Sequence, residues 1–548
     1  MPNQNASFDE TEKELNAKEK MVRGSLWMTV GNVFSRLLGA AYVIPWYAWM
    51  GEDANIANAL FTKGYNIYAL FLMIATAGIP GAIAKQISHY NSLNEYGISR
   101  RLFRRTMVIM GVFGVVCSGV MYLFAPILAD GNADLIPVMR ALSVAILIFP
   151  MMSVIRGYFQ GNQNMMPSAV SQIIEQIARV FYMLLMTFII MKVTTGDYVD
   201  AVIQSTFAAF IGMVGAFAVL IWFYSKQKHR MDYLVENSSN EVEISENHLI
   251  KEMIKQAIPF IIVGSAITLF KLVDQYTFER MMASFTNYSS KQLESLLSIF
   301  SANPDKLVMI TVSLATGMAM TSLPLVTEAY TKNEKPELAK LISDNIQLLL
   351  FIMIPATFGM IVLARPMYSL FYVPDALGVS VLIEASLVGV IMGYFILIST
   401  TLQGLYQNRQ AILLLGLGLV VKLILQYPMI RLFETYGPLI STAVGLGISA
   451  MFMTRSIYRI TKFDLVMTAK RILLIVILGS IMSLVTWLVR NGLYMIFNPD
   501  RKFQAFIIIM VCVLFGVLSY GWLVLRVRLA DQLLGPKARK FRRKFRIK

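Results

Sequence analysis

The chain has 548 residues, 56% hydrophobic and only 15% charged, with a mean hydropathy of +0.60. A soluble protein of that balance would expose far too much apolar surface, so the composition excludes a soluble enzyme and implies a polytopic membrane protein. The formal charge of +16 is not a nucleic-acid signal, because much of it sits in one terminal run, GPKARKFRRKFRIK, where Lys and Arg next to a span meet anionic headgroups.

Residues 1–20 are polar and mixed in charge and read as a cytoplasmic segment, with no cleavable signal in the apolar run that follows. Fourteen helices are predicted, at 22–45, 55–82, 104–128, 136–156, 168–191, 200–224, 253–279, 306–330, 341–363, 377–403, 408–430, 436–457, 469–489 and 503–525. Each approaches the roughly 20 apolar residues needed to cross the hydrocarbon. Span 1 carries Arg36 near its middle, beside Ser35 and Gly39. A cation there is costly unless it faces a polar cavity or a partner. Tyr42, Trp46, Tyr47 and Trp49 at the outer end of that span read as an interfacial belt.

Span 2 holds Lys63 nearer its outer end and Pro80 late in its length. In span 5, Glu175 and Arg179 are four apart on one face and can pair. Span 7 places Lys271 and Asp274 three apart, with Asp274 suited to modulate Lys271 or to bind a coupling cation. Span 8 contains Pro324 and Glu328, and span 11 contains Lys422. Basic residues in the first helix of each half, Arg36 and Lys271, are candidate ligands for phosphate through charge-assisted hydrogen bonds. Lys63, Glu175, Arg179, Asp274, Glu328 and Lys422 are candidates for cavity lining or coupling. Pro80 and Pro324 are candidate kinks, since proline removes an intrahelical hydrogen bond. Cys117 and Cys512 lie in apolar runs and read as buried thiols; the three histidines fall in candidate loops and form no metal-ligand cluster.

The loops alternate in charge. Basic residues gather after spans 2, 6, 8, 12 and 14, while Glu52, Asp53, Asp130, Asp134, Asp197 and Asp200 occupy opposite loops. The positive-inside rule then places both termini in the cytoplasm. The resulting organisation is an N-lobe at 21–224, a cytoplasmic linker at 225–252, a C-lobe at 253–457, two further helices at 458–525 and a basic tail at 526–548. The lobes echo one another: IATAGIPGAIAKQIS corresponds to LATGMAMTSLPLVTEAY, and RGYFQGNQN to STTLQGLYQNRQ, suggesting duplication. In the tail, Phe541 and Phe545 are four apart, as in a short helix lying on an anionic leaflet. No GxxxxGK[ST] loop, paired catalytic carboxylates or nucleophile elbow stands out. These residues point to a transporter rather than an enzyme.

The run NVFSRLLGAAYVIPWYAWMG, the TAGIP…AKQIS segment and the 6 + 6 + 2 helix plan resemble one branch of the multidrug/oligosaccharidyl-lipid/polysaccharide flippase superfamily. It is the polysaccharide-biosynthesis branch that contains lipid II flippases and stage V sporulation protein B relatives. The resemblance implies an all-α membrane fold with two six-helix lobes in a V around a central cationic cavity. It also implies alternating-access movement of an undecaprenyl-diphosphate-linked peptidoglycan precursor to the outer leaflet of a bacterial cell membrane. The family's Ser-Arg-x-x-Gly motif falls on Ser35, Arg36 and Gly39; where better-studied members carry further charges, this chain has Ala40, Ala41, Tyr42 and Val43. No cofactor is expected, and either a coupling ion (sodium or a proton) or the membrane potential would complete the cycle. Expected partners are the lipid-linked glycan diphosphate, anionic membrane lipids and cell-wall synthesis proteins, with no nucleic acid. The competing functions are flipping of another lipid-linked oligosaccharide, such as a capsule, teichoic-acid or exopolysaccharide unit, and a non-transporting scaffold of cell-wall assembly.

Overall fold

The computed structural model describes residues 34–35, 38–76, 79–238, 255 and 257–533. Arg36 lies outside them, as do the second half of the linker, 239–252, and the tail from 534 onward. Every regular element among the described residues is helical. In chain order the helices are α1 (Val43–Met50), α2 (Ala54–Thr76), α3 (Ile79–Ser92), α4 (Tyr96–Leu123), α5 (Leu135–Gly161), α6 (Met166–Phe188), α7 (Tyr198–Glu236), α8 (Ala266–Ala283), α9 (Ser290–Leu297), α10 (Asn303–Thr331), α11 (Lys335–Val362), α12 (Ala364–Phe371), α13 (Ala376–Gly404), α14 (Asn408–Phe433), α15 (Gly437–Thr461), α16 (Leu465–Tyr494), α17 (Lys502–Arg526) and α18 (Leu529–Leu533).

Among the described residues, eleven helical stretches are long and apolar enough to cross a membrane, or twelve when the bent pair Ala257–Gly264 and Ala266–Ala283 counts as one span. The expected fourteen is therefore not reproduced span for span. Two of the stretches, 38–92 and 408–461, each fold back on themselves. The first reverses at Gly51, where φ is +64°, and brings the Trp46 and Phe61 rings to a centroid distance of 6.2 Å. The second reverses at Glu434–Tyr436, and α14 then packs along α15. Large apolar side chains such as Val108, Val112, Phe503, Met510 and Val517 remain exposed. Such surface suits hydrocarbon, where helices satisfy every backbone group internally.

The chain divides into two units. The first takes in residues 1–42 and 67–261, the second residues 43–66 and 262–548. In the first, α5 packs with α3, α4 and α7, and α6 packs with α7; in the second, α10 packs with α13 and α11 with α16. The α1–α2 hairpin tip thus belongs with the second unit. Helix α7 continues to Glu236, well into the stretch that reads as linker.

The internal echo extends to the backbone. Helix α3 is followed by Asn94 at φ 60°, with the Glu95 N–H reaching the Tyr90 carbonyl at 2.8 Å; α10 is followed by Asn333 at φ 57°, with the Glu334 N–H reaching Ala329 at 3.0 Å. Asparagine tolerates this left-handed cap. Helices α5 and α13 end alike as well. Gln163 (φ 59°) and Tyr406 (φ 58°) follow them, and the Asn164 and Gln407 N–H groups bond back to Phe159 and Leu402. Gly161 lies against Ala84 and Ile87 of α3, as Gly404 lies against Val326 and Thr327 of α10.

Candidate functional site

A deeply enclosed ion pair lies where α8, α14 and α15 meet. The Lys422 side chain is fully buried and donates to Asp274 Oδ1 at 2.7 Å and to Thr442 Oγ1 at 2.6 Å. Longer contacts reach the Pro438 carbonyl at 3.3 Å and Ser441 Oγ at 3.4 Å. Gln426 Nε2 donates to Asp274 at 2.8 Å, and Ser441 donates to Gln426 Oε1 at 2.6 Å. Lys422 can come this deep because Gly445 lets α15 approach α14. A Cβ there would lie 2.7 Å from the Gly418 carbonyl and 3.2 Å from Lys422 Cβ. The desolvation penalty of the two charges is offset only because partners surround both.

One turn earlier on α8, Lys271 forms an ion pair with Asp305 at the start of α10. The pair opens on a small cavity of about 40 Å³, also lined by Asp274, Phe300, Met392 and Thr442. That volume holds about one water. Lys271 is thus a cation whose counter-ion would have to yield before an external anion could take its place.

A third polar cluster ties the α1–α2 tip to α9, α10 and α12 within the second unit. Lys63 is buried and paired with Glu279 at 2.6 Å and Glu294 at 3.4 Å. A wide, π-type turn at Ser298–Ala302 leads into Asn303. The Asn303 side chain accepts from Tyr47 and Asn58 and donates to Tyr368, while its carbonyl accepts from Tyr372. Lys306 donates to Asn58 Oδ1 and lies 5.6 and 5.4 Å from the Trp46 and Phe61 ring centroids. Such a distance is that of a cation–π contact. Trp46 and Tyr47 are therefore packed inside the protein, not arranged as a surface belt.

In the first unit, Arg156 of α5 donates through its guanidinium to Glu175 Oε2 at 2.8 Å and through Nε to Ser171 at 3.0 Å. Arg179, one turn beyond Glu175, packs its Cβ under Gly212 of α7. Gly39 lies against Gln176 of α6.

Several expected associations change in three dimensions. Asp274 is held by Lys422, so it is the neighbouring Asp305 that pairs with Lys271. Glu175 is engaged across a helix interface by Arg156 and not along its own helix by Arg179. Glu328 sits on the exposed end of α10 in an i,i+4 pair with Lys332. Pro80 is the second residue of α3, where its missing N–H costs nothing, and its backbone lies against Gly157 of α5. Pro324 does fall inside a continuous helix. Arg36 is outside the described residues. Arg156 stands at the predicted end of span 4, where a basic residue looks like an ordinary terminal charge, whereas α5 runs a further turn to Gly161. Asp305, Gln426, Ser441 and Thr442 carried no signal of their own. Glu384 did: it is a lone acid inside α13, and its Oε2 finds no hydrogen-bond partner.

The sequence profile of the polysaccharide biosynthesis proteins matches residues 21–330. This chain belongs to that family. Among its relatives is the lipid II flippase MurJ of Bacillus subtilis (strain 168), 34% identical over 543 residues, covering 96% of this chain and 99% of that protein. Stage V sporulation protein B of the same organism is 27% identical over 168 residues, 30% of this chain and 32% of its own length. Among solved structures, a lipid II flippase MurJ in an inward closed conformation superposes with a TM-score of 0.62 at 14% identity, covering 90% of this chain and 97% of that one. An inward-facing multidrug resistance MATE family transporter of the MOP superfamily gives 0.60 at 13% identity, over 80% and 95% of the two chains. At these identities the structural likenesses establish the fold. It is the all-helical fold of these transporters, and the family member is a multi-pass membrane protein.

Proposed function

We propose that this chain is a flippase that moves lipid II, the undecaprenyl-diphosphate-linked peptidoglycan precursor, from the inner to the outer leaflet of a bacterial cell membrane. The observation that carries this reading is the 34% identity, from end to end, to a lipid II flippase. The basic residues within the spans add to it. Arg36 offers a forked donor suited to phosphate and Lys271 a point charge with a replaceable partner. The reaction breaks no covalent bond. The polar head enters a polar path while the polyprenyl tail stays in lipid, and alternating access delivers the head to the far side. Both termini are cytoplasmic in this scheme. Two phosphate charges make the membrane potential relevant, since each charge moved is worth about 2.3 kcal/mol per 100 mV; sodium or a proton is the alternative source of drive.

Depleting the protein and detecting lipid-linked intermediates on each membrane face tests the substrate. Accumulation of inner-face lipid II is expected. Accumulation of a capsule, teichoic-acid or exopolysaccharide lipid instead would select the second reading, which the polysaccharide-biosynthesis profile favours. Arg36→Ala should abolish movement in a protein still inserted and abundant, with Arg36→Lys intermediate. Normal flux in Arg36→Ala would remove it from the site, and loss of wall growth without any lipid intermediate would indicate a scaffold. The basic tail binds anionic lipid in this scheme, so deleting residues 537–548 should leave flux measurable in reconstituted vesicles.

A further inference from the structure

The surroundings of Lys422 resemble the coordination shell of a small cation more than an ordinary ion pair. Its ammonium lies among a carboxylate oxygen (Asp274), a main-chain carbonyl (Pro438) and two hydroxyls (Ser441 and Thr442), at 2.6 to 3.4 Å. These four oxygens come from α8 and from one turn of α15, and the lysine enters from α14. Carboxylate, carbonyl and hydroxyl oxygens are the ligands that hard cations take. The cage is held in that form by its own hydrogen bonds. Thr442 donates to the Pro438 carbonyl at 2.8 Å, and Ser441 donates to Gln426 Oε1 at 2.6 Å, which leaves lone pairs of both hydroxyls facing inward. Gln426 donates to Asp274 from the other side at 2.8 Å. An ammonium has three donors and no acceptor, and this pocket offers it acceptors.

We propose that Lys422 is the built-in occupant of a monovalent-cation cage formed by Asp274, Pro438, Ser441 and Thr442. The second unit is thereby permanently loaded at this place and takes no free alkali cation there. The carboxylate that the sequence marks for a coupling ion already has its cation, supplied covalently by the chain. Removing the lysine should convert the cage into a genuine cation site. The inference stands on the second unit alone and holds whether or not the substrate is lipid II.

The test is thermal unfolding of the purified full chain in detergent, in sodium, potassium or lithium chloride against choline chloride at equal ionic strength. The wild type should melt at one temperature in all of them. Lys422→Ala, prepared in sodium or potassium chloride throughout, should melt lower in choline and recover by about 2–4 °C, saturably, with at least one alkali cation. Lys422→Ala/Asp274→Asn should lose that recovery. If Lys422→Ala does not fold, Lys422→Gln is read in the same way. A saturable alkali-cation response in the wild type that disappears in Asp274→Asn would overturn the proposal. So would the absence of any cation-specific response in the lysine variants. The measurement contains no substrate, so a failed flippase assignment leaves its result unaffected.

Discussion

At the α6–α7 crossing of the first unit, a Cβ on Gly212 would lie 2.6 Å from the Glu175 carbonyl and 3.0 Å from Arg179 Cβ; at the α14–α15 crossing of the second, Gly445 meets the Gly418 carbonyl and Lys422 Cβ in the same way. Glu175 and Gly418, and Arg179 and Lys422, are displaced by the same 243 residues that separate Gln160 from Gln403. The backbone arrangement is thus shared between the halves, down to a basic residue under each glycine. The charge arrangement is not. In the second unit the base is neutralised by Asp274 from α8. In the first, the acid beside the crossing is a residue of α6 itself, and it is engaged by Arg156 of α5. Close helix approach leaves no room for a Cβ, so it constrains both copies equally. A charge needs only a partner within reach, and different helices can supply one.

The largest test of this comparison is the enclosed pair. Lys422→Met or Asp274→Leu alone leaves an uncompensated buried charge and should destabilise by about 3–5 kcal/mol, whereas the double variant should recover most of that loss. Thermal unfolding of the four proteins measures it; additive losses would mean that the pair is not a unit. Next come the glycines. Gly212→Ala and Gly445→Ala should each cost about 1–3 kcal/mol through overpacking. Gly215→Ala, whose Cβ would meet Ala178 at an ordinary 3.5 Å, should be far milder. A large loss at only one crossing would end the claim that the two are built alike.

Arg156→Gln should cost less than either change at the Lys422 pair, about 1.5 kcal/mol, because its ion pair with Glu175 retains some solvent access. A loss matching that of Lys422→Met would remove the ranking of the two halves.

The smallest effect belongs to an exposed pair. Arg365 donates to both carboxylate oxygens of Asp500, at 3.1 and 2.7 Å. Its guanidinium hydrogen bond holds the Asp500 carboxyl below the usual range. A lowered folded value means the contribution is present at neutral pH and fades as the pH falls through that value. Asp500→Asn should therefore cost about 0–1 kcal/mol at pH 7 and low salt, with the melting curves of variant and wild type converging in acid. A gap that widens in acid would contradict the assignment.

Much of the architecture is legible in the chain. The fourteen apolar stretches fall largely on helix where their residues are described, with breaks that include Phe124, Ser265 and Leu363, although the number of separate spans is not reproduced. The QG echo marks two helix ends that cap alike. The interior charges were legible as positions: Lys63, Glu175, Lys271, Asp274 and Lys422 all lie within helical segments. Their partners were not. Reading along one helix offers only i,i+3 and i,i+4 neighbours, Asp274 for Lys271 and Arg179 for Glu175. Glu328, a candidate for cavity lining or coupling by sequence, pairs along its own helix with Lys332 four residues on.

The sequence by itself determined that the chain lives in a membrane, that it is helical and that it is duplicated. Apolar run length, the helical rise and the capping asparagines are all local quantities. Tertiary structure alone decided that Asp274 belongs to Lys422, that Lys271 belongs to Asp305 and that Trp46 encloses Lys306 and not a lipid headgroup. Those outcomes depend on which helices lie side by side and on how closely a glycine lets them approach. A desolvated charge takes the best oxygen or nitrogen within about 3 Å, and that neighbour can be 148 residues away along the chain.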